Sequence, residues 1–299
     1  MPRRRERHEL RRARHRRGAQ ALRLLQEVAR ADRLASLATT GARTAERPTE
    51  DRGDASASQR SEVSFVDLHC HTSASFDSLA SPAAMVRAAA ARGVTHLAIT
   101  DHDRIDGALR ARDAAPRIAP GLAVLVGEEI RTREGDLIAV FIERAVPPGR
   151  SATETVAAVR EQGGLVGMPH PYDRLRGSLA KSADTAALEA LAGSVDWIEA
   201  WNARLVVGRG NERAAELAKA VGVPGVAVSD AHTAMEVGLA TTSMVGDPST
   251  AAGLSAALTG ELRLATGRAS AYVRLVTPLA TLVNRLRGRG RIRPAGLAR

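Results

Sequence analysis

Five of the eight histidines in this chain, His69, His71, His102, His170 and His232, sit at or just past the end of a segment that reads as a β-strand. The carboxylates Asp67, Asp77, Asp101, Asp103, Glu128, Glu129 and Asp230 keep them company. A mixture of imidazole and carboxylate suits zinc, manganese or iron better than calcium. His69 and His71 alternate along an extended chain, so both rings face one side and can approach one ion, at about 2.0–2.1 Å if it is zinc. Cys70 between them faces the other way and reads as a packing residue. An H-x-H pair alone is weak evidence. Its combination with TDHD (100–103), GEEI (127–130), PHP (169–171) and SDAH (229–232), each at a strand end, is specific. His96 opens a strand at the opposite end and reads as structural, and His8 and His15 lie in an arginine-rich arm.

The elements that must position these residues alternate. SFVDLH, HLAIT, LAVLVGEEI, DLIAVFI, LVGMPH, WIEAWN and GVAVSD read as strands. A helix is expected over Pro82–Arg92, with Pro near its start and Gly93 to end it. Ser151 and Glu154 have capping-box spacing and open another, which stops at Gly163-Gly164. Further helices are expected near Thr185–Leu191 and over Glu212–Val221, and REGD reads as a turn. Strands alternating with helices predict parallel βα units, and about seven such strands predict a closed or nearly closed α/β barrel. In such barrels the C-terminal ends of the strands form the active-site face.

The ends of the chain differ from its centre. The net charge of +10 divides into +7 over residues 1–62, −4 over 63–270 and +7 over 271–299. A mildly acidic centre fits a metal site and lacks the basic stripe of a dedicated nucleic-acid-binding core. Residues 1–62 are expected to be a basic arm and disordered linker, 63–275 the barrel, and 276–299 a flexible basic tail. The arm and tail are either solvated extensions or contacts for nucleic acid. No apolar run approaches the roughly 18–20 residues of a membrane span. No secretory signal is evident, and the single cysteine excludes an internal disulfide; the expected location is cytoplasmic.

Residues 65–103 (FVDLHCHT, SFDS, ITDHD), with GEEI, PHPYDRLR and SDAH following in order, resemble the polymerase and histidinol phosphatase (PHP) metallohydrolase family over about residues 63–240. The resemblance implies a distorted (β/α)7 TIM-like barrel holding two or three divalent metal ions (zinc, manganese or iron) and hydrolysing phosphoesters. It implies His69, His71, Asp77, His102, Glu129, His170, Asp230 and His232 as metal ligands, with Glu129 able to bridge two ions. Glu129, Asp230 and His170 are the expected catalytic set. Asp77 lies one residue further from the first motif than in many members. Where many relatives carry a histidine on the strand after the glutamate motif, this chain has Ile138. Two ions or three both remain open, and Asp136 nearby lies in the turn.

Paired cations lower the pKa of a shared water and neutralise phosphoryl oxygens. Arg174, Arg176 and Arg131 are candidate phosphate clamps, because guanidinium forks match phosphate geometry; the alternative is that they are ordinary surface arginines. Glu199 and Asn202 are placed to support the ligands, and Tyr172 and Trp201 either stack on a base or pack. The expected function is a metal-dependent phosphoesterase acting on a small phosphorylated substrate: a nucleotide, an oligonucleotide end, or a sugar or amino-alcohol phosphate. The alternatives are a carbamate-like ester hydrolase, or an inactive metal-stabilised module that binds nucleic acid through its basic ends.

Overall fold

The structure, a computed structural model, describes residues 63–173, 177–181, 185–270 and 273–292. The expected basic arm, Arg174 and Arg176 lie outside the described residues. Nine strands form one sheet in the order β7-β6-β5-β4-β3-β2-β1-β8-β9. They are β1 Val63–Asp67, β2 His96–Ile99, β3 Ala123–Arg131, β4 Asp136–Val140, β5 Leu165–Met168, β6 Trp197–Asn202, β7 Gly225–Val228, β8 Ala240–Val245 and β9 Arg263–Thr266. The helices are α1 Pro82–Ala91, α2 Asp106–Ile118, α3 Ala152–Arg160, α4 Thr185–Ala192, α5 Gly210–Val221, α6 Ala251–Leu258 and α7 Val273–Leu286.

Local chemistry explains the helix starts. Ser81 caps α1 by accepting from the Ala84 N–H, with Pro82 in the first turn where its missing N–H costs nothing. Ser151 and Glu154 form the expected capping box on α3, each side chain accepting from the other's backbone N–H. Helix α2 was not expected from the sequence. Its buried stripe is Gly107, Ala108, Ala111 and Ala115, residues too small to give a strong apolar period, yet small enough to let the helix lie close to the sheet.

Strand alternation separates two cores. Leu125 of β3, Ile138 and Val140 of β4, Val226 and Val228 of β7 and Trp197 of β6 belong to one buried cluster inside the barrel. Ile99, Val126, Leu137, Ala139 and Ile198 belong to another, shared with the helices. Trp197 is fully buried and needs Gly167 across from it, because a Cβ there would lie 2.2 Å from the indole ring.

Two features depart from an all-parallel ring. β4 runs antiparallel to both β3 and β5, because the turn Thr132–Gly135 returns the chain directly as a hairpin; Thr132 N–H donates to Gly135 O at 2.8 Å. β8 and β9 add an antiparallel pair beyond β1. The barrel is nearly closed between β7 and β8, where one hydroxyl bridges the seam: Thr242 Oγ1 accepts from Ala227 N–H at 2.8 Å and donates to Ala227 O at 3.1 Å. Within the stretch 276–299, expected to be a flexible tail, α7 continues to Leu286 with Pro278 inside it. Among the described residues no helix is long and apolar enough to cross a membrane.

Candidate metal centre

Each expected ligand follows the C-terminal end of a strand, or ends it. His69 and His71 come just after β1 and His102 just after β2; Glu129 lies near the end of β3, His170 just after β5, and Asp230 and His232 just after β7. All eight, with Asp77 from the loop before α1, are buried. His170 and Asp230 have backbone φ of 27° and 52°, left-handed values uncommon for non-glycine residues and typical of functional sites.

The donor atoms converge in two groups. In the first, His69 Nε2 and His71 Nε2 are 2.9 Å apart, each lies 3.3 Å from Glu129 Oε2, and each lies 3.6 Å from Asp230 Oδ1. A tetrahedral ion with bonds of about 2.0–2.1 Å would have edges of about 3.3–3.4 Å, so the triangles His69–His71–Glu129 and His69–His71–Asp230 are each of a size that one ion could span. The donor set also calls for a cation: lone pairs of two imidazoles and two carboxylates repel unless a proton or metal sits among them. In the second group Asp77 Oδ2 lies 3.2 Å from His102 Nε2 and 3.0 Å from His232 Nε2; with His71 these residues offer atoms within 4.8 Å of one another. Glu129 reaches both groups, since its Oε2 is also 3.2 Å from His102 Nδ1. Its Oε1 lies 3.3 Å from His170 Nε2.

A third grouping around Glu129 and His170 is incomplete. Ile138 is opposite Glu129 in the β3–β4 ladder, and its apolar side chain offers no ligand. Asp136, two residues earlier and so on the same face of β4, pairs instead with Arg291 at 3.0 Å.

Protonation follows the charges. Burial pulls His69 down, but Glu199 and Glu129 hold it up to about 10. Burial and the neighbouring His232 push His71 well below its ordinary value. Burial raises the Asp77 carboxyl, yet His232 and His102 hold it well below the usual range.

A surrounding shell fixes the ligands. His69 Nδ1 lies 2.6 Å from Glu199 Oε1; Glu199 Oε2 accepts from the His170 backbone N–H and from Asn202 Nδ2, which also donates to Asp230 Oδ2. Glu199 and Asn202 of β6 thus bond the expected ligands His69, His170 and Asp230. Asp101 accepts from the backbone and hydroxyl of Thr72, Asp103 accepts from the Arg131 N–H, and Glu236 accepts from the His232 N–H. His96 lies against Thr95 and Asp247, away from the ligands, and Cys70 packs against Ser229. Arg213 covers the Tyr172 ring and Arg268 that of Trp201, while the Trp201 indole donates to Gly267 O, so both aromatics have neighbours on the protein.

The expected ligands open onto a cavity of about 550 Å³ lined by Phe76, Asp77, His102, Glu129, His170, Asp230 and His232, with Arg131 and Arg291 also lining it. Arg291 and Asn284 of the C-terminal segment escaped the sequence reading. Asn284, fully buried on α7, donates to the carbonyls of Ser75, Phe76 and Ser78 and so holds the loop carrying Asp77. A lone Asn in an apolar helix carried the only available signal.

Buried imidazoles and carboxylates at the mouth of an α/β barrel define the class of metal-dependent hydrolases. The chain belongs to the PHP domain family: the PHP domain matches residues 67–212 and the PHP-associated domain residues 208–261. It is 36% identical over 116 residues to an uncharacterised protein of Methanocaldococcus jannaschii, covering 36% of this chain and 67% of that one. It is 34% identical over 119 residues to a 5'-3' exoribonuclease of Haemophilus influenzae, covering 36% of this chain and 42% of the relative. Among solved structures it resembles a two-domain protein from Bacteroides vulgatus containing a predicted PHP-like metal-dependent phosphoesterase, with a TM-score of 0.58 at 18% identity. That match covers 69% of this chain and 65% of the other, a likeness of fold.

Proposed function

We propose that the protein is a metal-dependent phosphoesterase that hydrolyses a small phosphorylated molecule or the end of an oligonucleotide. The observation that carries this reading is the convergence of His69, His71, Glu129 and Asp230, joined through Glu129 to the group of Asp77, His102 and His232. Two cations held there would supply hydroxide near neutral pH and neutralise charge on the phosphoryl oxygens. Glu129 would bridge the two positions. Asp230 would complete the first, its second oxygen held by Asn202. His170 Nε2 would join Glu129 Oε1 in holding a cation at the cavity wall. Arg131 orients the anion from the rim. The likeness to an exoribonuclease supports a phosphodiester end among the substrates; Arg174 and Arg176 stay candidate clamps.

The test is hydrolysis of an aryl phosphate and a bis-aryl phosphate by purified protein. Activity is expected to vanish with chelator, return with manganese, and be lost in His69→Ala together with bound metal. Turnover of aryl carbamates with no action on either phosphate would sink the reading. Nucleic-acid binding that survives His69→Ala with no turnover would point to the inactive module.

A further inference from the structure

Arg291 comes from the segment after α7, beyond both stretches that match the family (67–212 and 208–261). Yet its side chain lines the same cavity as the proposed ligands. Its Nε lies 3.1 Å from Asp103 Oδ2 and one terminal nitrogen 3.0 Å from Asp136 Oδ1. The guanidinium stands 5.7 Å from the Phe76 ring centre. Only 17% of the side chain is exposed.

A buried guanidinium needs compensating charge, and two buried carboxylates supply it. A simple counter-ion, however, uses only the bonds it makes to its acids. Guanidinium has five N–H donors in a fixed fork. The two bonds to Asp103 and Asp136 leave three N–H groups with no partner among the described residues. The two bonds also fix the plane of the fork, so its remaining donors are held in place ahead of any ligand. Arg131 lies on the same cavity wall, with its backbone N–H bonded to the same Asp103 that holds Arg291. Asp103 therefore holds the Arg131 backbone as well as the Arg291 side chain. Among the described residues Ile138, opposite Glu129 in the ladder, offers Glu129 and His170 no further ligand, and Arg131 and Arg291 bring positive charge to the same cavity.

We propose that Arg291 is a substrate-binding residue, a guanidinium delivered by the C-terminal segment into the cavity of the expected metal ligands, where it grips the non-bridging phosphoryl oxygens, with Arg131 beside it. The proposal rests on the phosphoesterase reading above. Asp103 and Asp136 position the fork.

The experiment uses the full metal-loaded chain as wild type, Arg291→Ala and Arg291→Lys. Three quantities are measured: metal content, inorganic phosphate affinity by calorimetry, and kinetics on an aryl phosphate. In Arg291→Ala, phosphate affinity is expected to fall about tenfold or more, the size of one charge-assisted hydrogen bond. KM should rise by a similar factor while bound metal stays as in wild type. Arg291→Lys should recover only part of the loss, since an ammonium lacks the fork, and added guanidinium ion at non-denaturing concentration should restore activity to Arg291→Ala. Wild-type phosphate affinity in Arg291→Ala makes the residue a counter-ion only and overturns the proposal while leaving the phosphoesterase reading intact. Loss of bound metal in both variants makes its role purely structural and overturns it. Faster turnover in Arg291→Ala would mean the segment obstructs the site, and overturns it too. A wild-type protein that binds no phosphate and hydrolyses no phosphoester brings down both readings together.

Discussion

His69 commits both ring nitrogens, one to the first donor group and one to Glu199 at 2.6 Å. A carboxylate behind a ligating imidazole fixes its tautomer and raises its basicity. Glu199→Gln preserves the shape and removes the charge. Metal affinity is expected to drop about 10–100-fold, read by competition with a chromogenic chelator; an unchanged affinity would remove Glu199 from the site's function. Ile138 supplies a test in the opposite direction. It faces Glu129 across the ladder, so Ile138→His restores an imidazole beside Glu129 and His170. One more ion per chain than in wild type is expected by elemental analysis. If the count stays the same, Asp136 and Arg291 already occupy the space a further ion would need.

Among the elements, α7 carries the least expected duty. Asn284 binds three carbonyls of the loop that presents Asp77. Asn284→Ala should therefore lower the number of bound ions while far-UV circular dichroism stays as in wild type; full metal content would show that the loop holds itself. Helix α3 gives a pH prediction. Hydrogen bonds from the Ser151 N–H and hydroxyl hold the Glu154 carboxyl below its ordinary 4.5. A depressed folded-state pKa stabilises the helix above the unfolded value and is lost as pH falls below it. Protection factors of the α3 amides, corrected for the intrinsic pH dependence of exchange, should fall below pH 4.5 in wild type, and Glu154→Gln should flatten that dependence; identical profiles would dismiss the box as a stabiliser. The sequence made the strands and the ligands legible together, because an H-x-H pair or a D-x-H pair at the end of an apolar run marks one face of a barrel. The antiparallel course of β4 was implicit in the REGD turn but masked by the surrounding βα rhythm. α2 was hidden by its alanine stripe, and β8, β9 and α6 lie after the last motif. Arg291 was hidden by composition: arginine alternating with glycine has the texture of a solvated tail, and only two distant acids, Asp103 and Asp136, give it a place.

For the whole molecule, the barrel's integrity depends on a seam where the ladder stops. Thr242 bridges Ala227 from β8 with a single hydroxyl, and Thr242 is fully buried. Thr242→Val keeps the volume and strands the Ala227 N–H and C=O. It should cost about 1–3 kcal/mol, measured as a lower urea midpoint, with Thr242→Ser recovering most of it; an unshifted midpoint would mean the seam is satisfied in another way. The Asn284 anchor and the Arg291 contacts also set an order of events during synthesis. His69 and His71 emerge early, but the loop of Asp77 gains its clasp only after some two hundred further residues have been made, counting from the positions of Asp77 and Asn284. Domains tend to fold as units from the N-terminal side as they are made. Here a ribosome-bound chain stalled before residue 284 would have its imidazoles in place while the loop of Asp77 still lacked its clasp.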